Sequence, residues 1–217
     1  MRPLLFGLLL CIPGLACAHA PAAPPAPPPP PLAPLSLFDG ATLKGWDGDP
    51  AIWAVKDGAI DGTAEKGGKL LYTNGNYDSF RLTLQSRLVS DGNHLGFCFW
   101  GDRLPDFGYG QCVLVIPPGG GMWDYHPGKK SPPRESLGQK KRDAHLWHTS
   151  EILARFSTGE IRMAVDGVEV LRYKDIDPTR LKKGPIGLQI HAGVSEVQYK
   201  DLTIEIAPQD DRLRTVK

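Results

Sequence analysis

Phe80-Arg81-Leu82-Thr83-Leu84-Gln85-Ser86-Arg87-Leu88 sets Phe80, Leu82, Leu84 and Leu88 on one side of an extended chain and Arg81, Thr83, Gln85 and Arg87 on the other. The segment reads as a strand with one dry and one wet face. Outward from it, Ile52-Trp53-Ala54-Val55-Lys56, Asp57-Gly58 and Ala59-Ile60-Asp61 form a hairpin signal, because Asp-Gly accepts the positive φ values of a tight turn. Ile161 to Val165, Asp166-Gly167 and Val168 to Leu171 repeat it. Arg142 to Phe156, Gly184 to His191 and Ser195 to Ile206 supply further strands, and Ile176 to Lys182 suits a helical turn. Roughly ten or more short strands in one chain predict an all-β, jelly-roll-like two-sheet sandwich.

Gly96-Phe97-Cys98-Phe99-Trp100 and Gln111-Cys112-Val113-Leu114-Val115-Ile116 are apolar on both faces. Only one face of each sheet packs inward in a sandwich, so the second apolar face is covered by a loop or lies along a groove. If these strands fold about Pro105, residues whose numbers sum to 210 face each other, as Cys98 and Cys112 do. An oxidising compartment permits a disulfide there, whose loop of about 15 residues is worth about 3 kcal/mol; two buried thiols side by side are the alternative.

Residues 1–18 have the layout of a secretory signal: Arg2, then the apolar Leu4 to Leu15, too short to span a bilayer, then small residues. Cleavage after Ala18 starts the mature chain at His19; alternatively Gly14-Leu15-Ala16-Cys17 acts as a lipobox and Cys17 ties the protein to a membrane. Residues 19–35 are a Pro/Ala-rich linker, with nine prolines between Pro21 and Pro34 and no means to build a core. Residues 36–207 form the sandwich and 208–217 a C-terminal tail. The expected location is outside the cytoplasm, periplasmic or extracellular. Arg2 is the one charged residue before Ser36, so the remainder carries 24 basic and 24 acidic residues. That balance gives no basic footprint for nucleic acid.

Leu37-Phe38-Asp39-Gly40, Leu43, Gly45-Trp46, Trp53 to Ile60, Leu70-Leu71-Tyr72-Thr73, Gly92-Asn93 before Gly96-Phe97, and Gly184-Pro185-Ile186-Gly187-Leu188-Gln189-Ile190-His191 follow in a familiar order. Together they resemble the 3-keto-disaccharide hydrolase domain family, a bacterial family with a concanavalin A-like jelly roll, over Leu35 to Ile206. The resemblance implies a saccharide partner oxidised at carbon 3, cleaved by hydrolysis or elimination, and in some relatives a divalent metal. A ketone at C3 acidifies the C2 proton, so such a site needs one base and a donor for the enolate oxygen. Two family positions differ: an arginine after the phenylalanine pair is Trp100, and a Tyr-Glu-x-Gln strand reads Tyr109-Gly110-Gln111-Cys112. Those losses leave open a non-catalytic carbohydrate-binding sandwich.

The candidate catalytic residues are His191, which matches the family histidine, and Asp102, in the glycine-rich connection where a carboxylate can replace the lost glutamate. Trp100, Gln111, Trp123, Tyr125, His126 and Gln189 are the candidate sugar contacts: flat aromatic faces suit the C–H face of a pyranose, and amides its hydroxyls. Alternation puts Gln189 and His191 on the face opposite Ile186, Leu188 and Ile190. His94, His126 and His191 share no metal-ligand spacing, so no metal or other cofactor is read from the residues themselves.

Overall fold

The computed structural model describes residues 33–65, 68–92, 94–108, 110–119, 121–126, 137, 141–174, 179, 183–193 and 196–217. The leader, most of the linker and most of 176–182 lie outside them. Fourteen strands are described. The first seven are β1 (Leu35–Ser36), β2 (Trp46–Asp47), β3 (Trp53–Lys56), β4 (Ala59–Thr63), β5 (Lys69–Thr73), β6 (Phe80–Leu88) and β7 (Leu95–Phe99). Then follow β8 (Val113–Ile116), β9 (Gly121–Asp124), β10 (His148–Arg155), β11 (Glu160–Val165), β12 (Val168–Tyr173), β13 (Gly187–Ile190) and β14 (Glu196–Ile206). An eight-stranded sheet runs β12-β11-β10-β6-β14-β4-β3, with β1 also on β14; a six-stranded sheet runs β2-β5-β13-β7-β8-β9. The chain is the two-sheet, jelly-roll-like sandwich its sequence predicts.

The turn signals act as read. Asp57 and Gly58 have φ of 51° and 73°, and Asp166 and Gly167 of 50° and 79°, so both hairpins turn through two left-handed residues. Strand β6 spans the quoted segment, and Phe80, Leu82, Leu84 and Leu88 enter a core shared with Phe97, Phe99, Val113, Val115, Leu188 and Ile190 of the other sheet.

The second face of β6 is less wet than its alternation implies, because residues 207–217 cross the outer side of the eight-stranded sheet. Arg81, 4% exposed, pairs with Glu151, Glu205 and Asp210. Glu151 also accepts hydrogen bonds from the backbone N–H of Arg214 at 2.8 Å and of Thr215 at 2.7 Å. Leu213 packs on Leu153 and Ala164.

The hairpin of β7 and β8 is set two residues away from the expected register. Phe97 faces Val115, Cys98 faces Leu114 and Phe99 faces Val113, so facing numbers sum to 212. Trp100, with a φ of 58°, ends the strand pattern directly after Phe99 and turns its ring into the core. Cys98 and Cys112 are thus diagonal neighbours, and both are thiols rather than a disulfide.

Candidate functional site

The outward face of the six-stranded sheet carries Leu70 and Tyr72 from β5, Cys98 from β7 and Leu114 from β8, with Cys112, Ile116, Trp123 and Phe107 against them. An apolar sheet face needs cover, and the connection after β7 supplies it, residues 101–108 crossing from β7 to β5. The Leu70 N–H donates to Phe107 O at 2.8 Å, the Tyr72 hydroxyl to Gly108 O at 2.7 Å and the Lys69 ammonium to Asp106 O at 2.5 Å. Arg103 lies 5.5 Å from the Tyr72 ring centroid, pairs with Asp47 and donates to Thr73 O at 2.6 Å. Burial pushes the Tyr72 phenol up, so it serves here as a neutral donor.

At the root of this connection three chain segments open a cleft of about 490 Å³ lined by Asn74, Asn76, Gly101, Asp102, Arg103, Lys183, Gly184 and Pro185. Its floor is backbone. Tyr77 N–H donates to Gly184 O at 2.7 Å, and Gly184 N–H to Tyr77 O at 3.3 Å. A Cβ on Gly184 would overlap the carbonyl oxygen of Gly101, and one on Gly101 that of Gln111, so these glycines permit an approach no side chain allows. The polar lining offers one carboxylate, two cations and two amides at the end of a rigid sheet. That donor and acceptor mix complements a polyhydroxylated ligand and a developing oxyanion.

Of the sequence-predicted residues, Asp102 lines this cleft and is exposed. Gln111 is exposed nearby, directly before Cys112. Trp123 and Tyr125 stand on the outward face of the sheet edge with rings parallel to within 10° and centroids 6.2 Å apart, Tyr125 being 38% exposed. Three others are enclosed, so the sugar contacts expected of them are corrected. Trp100 is 0% exposed: its left-handed backbone turns the indole into the core, edge-on to Phe99 and Phe156, with Nε1–H donating to Asp78 O at 2.6 Å. His126 is 3% exposed; its Nδ1 lies 2.7 Å from Asp124 Oδ1 and its Nε2 2.9 Å from Trp100 O. Gln189 does lie on the outward face, beside Gly96 and Leu114, but is 1% exposed beneath the covering layer.

His191 stands at the other end of β13. Ile190 faces Leu95, so His191 meets His94, and their ring centroids are 4.0 Å apart. Burial, with the neighbouring imidazole adding to it, pushes His94 down to about 4. The Nδ1 of His191 is buried and has no hydrogen-bond partner in the protein. The five residues of β7 separate this pair from Asp102, about 16 Å of strand. His191 and Asp102 therefore do not converge. Glu151, a buried carboxylate of the opposite sheet, is locked under the C-terminal tail and does not reach either of them. Two imidazoles without a third donor do not fit a divalent metal, and among the described residues no group of three or more His, Cys, Asp or Glu side chains is arranged to hold one.

Sequence reasoning missed Asn74, Asn76, Arg103 and Lys183. Each adjoins a motif that was read, Leu70 to Thr73, Phe97 to Trp100 or Gly184 to His191, but only the Tyr77–Gly184 bridge and the Gly101–Gly184 approach bring them together.

Known proteins share the architecture. Two crystal structures of a candidate glycosyl hydrolase from Parabacteroides distasonis superpose with TM-scores of 0.59 and 0.62, each at 17% identity over 81% of this chain and over 94% and 100% of theirs. The carbohydrate-binding module CBM66 from Bacillus subtilis gives 0.57 at 15% identity over 74% of this chain and 95% of its own. At such identities the likeness is one of fold. No curated protein is significantly similar in sequence. The sequence profile of the 3-keto-alpha-glucoside-1,2-lyase-like domain matches residues 34–205, nearly the whole sandwich, and the chain belongs to that family.

Proposed function

We propose that the protein is an exported carbohydrate-active sandwich that cleaves a glycoside carrying a ketone at C3, with the Asp102 cleft as its working site. The observation that carries this reading is the meeting of Asp102 with Lys183, Arg103, Asn74 and Asn76 in one cleft of about 490 Å³, within the range of small-molecule sites. Membership of the 3-keto-alpha-glucoside-1,2-lyase-like family supports the choice of substrate class.

In this reading the Asp102 carboxylate takes the C2 proton made acidic by the ketone, and the C–H electron pair moves into a C2–C3 enolate. Lys183, an exposed ammonium 3.9 Å from Asp78, donates to the enolate oxygen. The electrons then re-form the C3 carbonyl and make a C1–C2 double bond. The C1–oxygen bond breaks, and the leaving oxygen regains a proton. Arg103 is held by Asp47 and Thr73, so it fixes the cleft wall.

Purified protein given a 3-keto-disaccharide is expected to release the leaving alcohol, and Asp102→Asn to lower kcat by about 100-fold or more, the usual worth of a positioned base. No turnover by the wild type, with or without divalent cations, overturns the catalytic reading. The separation of His191 from Asp102 favours a second reading, a binding sandwich without chemistry. It predicts saccharide binding that Asp102→Asn weakens, and no product.

A further inference from the structure

Cys98 and Cys112 take no part in the site as described, yet they bracket the connection that carries it. Both are buried, Cys98 at 2% and Cys112 at 4% exposure. They share one buried cluster, whose other side chains, Leu70, Tyr72, Leu114 and Phe107, are largely apolar. A cavity of about 10 Å³, room for about one water, touches both cysteines and shares Gly101, Asp102 and Pro185 with the cleft. The pair thus sits directly behind the cleft floor.

We propose that Cys98 and Cys112 are a reversible disulfide site whose closure ties down the 101–110 connection and with it Asp102 and Arg103. The oxidant is a disulfide of low molecular weight or on another protein. One cysteine thiolate attacks it, forming a mixed disulfide and expelling a thiolate. The other cysteine, having lost its proton, then attacks the mixed disulfide, forms the Cys98–Cys112 bond and expels the second thiolate. The pair gives up two electrons and two protons, and the oxidant becomes two thiols. The two cysteines belong to one buried cluster and line one small cavity, so a local shift brings the sulfurs to bonding distance. The small cavity admits no such oxidant, so the connection lifts before exchange. The neighbouring Cys112 thiol, and then burial, push Cys98 up and keep its thiolate scarce. Exchange is therefore slow in the folded protein and quickens when the connection opens.

The chemistry of the pair is independent of the function proposed above; only its effect on saccharides rests on that reading. The test incubates the full chain with excess oxidised glutathione, with and without mild denaturant, followed by non-reducing peptide mapping and hydrogen exchange. The expected result is a peptide pair linked through Cys98 and Cys112, lost on dithiothreitol treatment, with slower amide exchange over 101–110 in the linked form. Cys98→Ser and Cys112→Ser should each take up glutathione on the remaining thiol and never give the linked pair; the wild-type map decides if either fails to fold. Glutathione adducts without a link, or two thiols surviving denaturant and refolding with the oxidant, overturn the proposal. A link that leaves exchange over 101–110 unchanged overturns the coupling to the connection. A linked and an unlinked form that both ignore 3-keto-saccharides sink the functional reading and leave the disulfide site standing.

Discussion

His94 and His191 form a close pair of imidazoles, and the proton is the probe that reads their contact. His94 is pushed down to about 4 in the folded protein by burial and by His191, from an ordinary 6.5. Below pH 6.5 the unfolded chain therefore binds a proton that the folded chain refuses. By linkage, the contribution of this site to stability falls as pH drops from 6.5 to about 4 and is level below that. An NMR titration of the His94 ring is expected to show its midpoint near 4, and His191→Ala to move it up towards 6.5. A midpoint that stays put in the variant contradicts the pairing. Asp102 belongs to the other end of the sheet, and its role is independent of this titration. Trp100 illustrates a residue whose position was legible and whose direction was not: two-residue alternation puts it beside Cys98, but the left-handed φ reverses the ring, and no local signal marks that reversal in a tryptophan.

Two non-strand elements decide what each sheet presents. Residues 101–108 roof the outward face of the six-stranded sheet, and the tail 207–217 roofs that of the eight-stranded sheet. The need for a roof over the first was legible, because β7 and the strand after Cys112 are apolar on both faces. The second was hidden, because Arg81, Glu151 and Glu205 look like solvated strand residues until the tail covers them. Glu151 is 0% exposed and accepts three hydrogen bonds from Arg214 and Thr215 besides its pairing with Arg81. Glu151→Gln removes the charge that compensates a buried guanidinium and turns an acceptor into a donor facing N–H groups. Breaking a buried pair in this way costs about 3–5 kcal/mol, so urea unfolding should show a loss of that size. A loss below about 1 kcal/mol would mean that the tail does not seal the face.

At the scale of the whole molecule, the hairpins and the dry face of β6 follow from neighbours in sequence, whereas the cleft is assembled from segments near residues 75, 102 and 184. Its residues meet only through the Tyr77–Gly184 bridge and the tight glycine packing behind Asp102, so no local pattern announces them. The sandwich and its family were therefore readable from motif order, whereas of the polar residues lining the cleft the sequence singled out Asp102 alone. On the proposed function the saccharide sits at the Asp102 end of the sheet and not at the His191 end. Backbone amide shifts recorded during titration with a 3-keto-disaccharide test it most directly. The largest changes are expected on Asn74 to Asn76, Gly101 to Arg103 and Lys183 to Gly184; changes centred on His94 and His191, with the cleft silent, would contradict that placement.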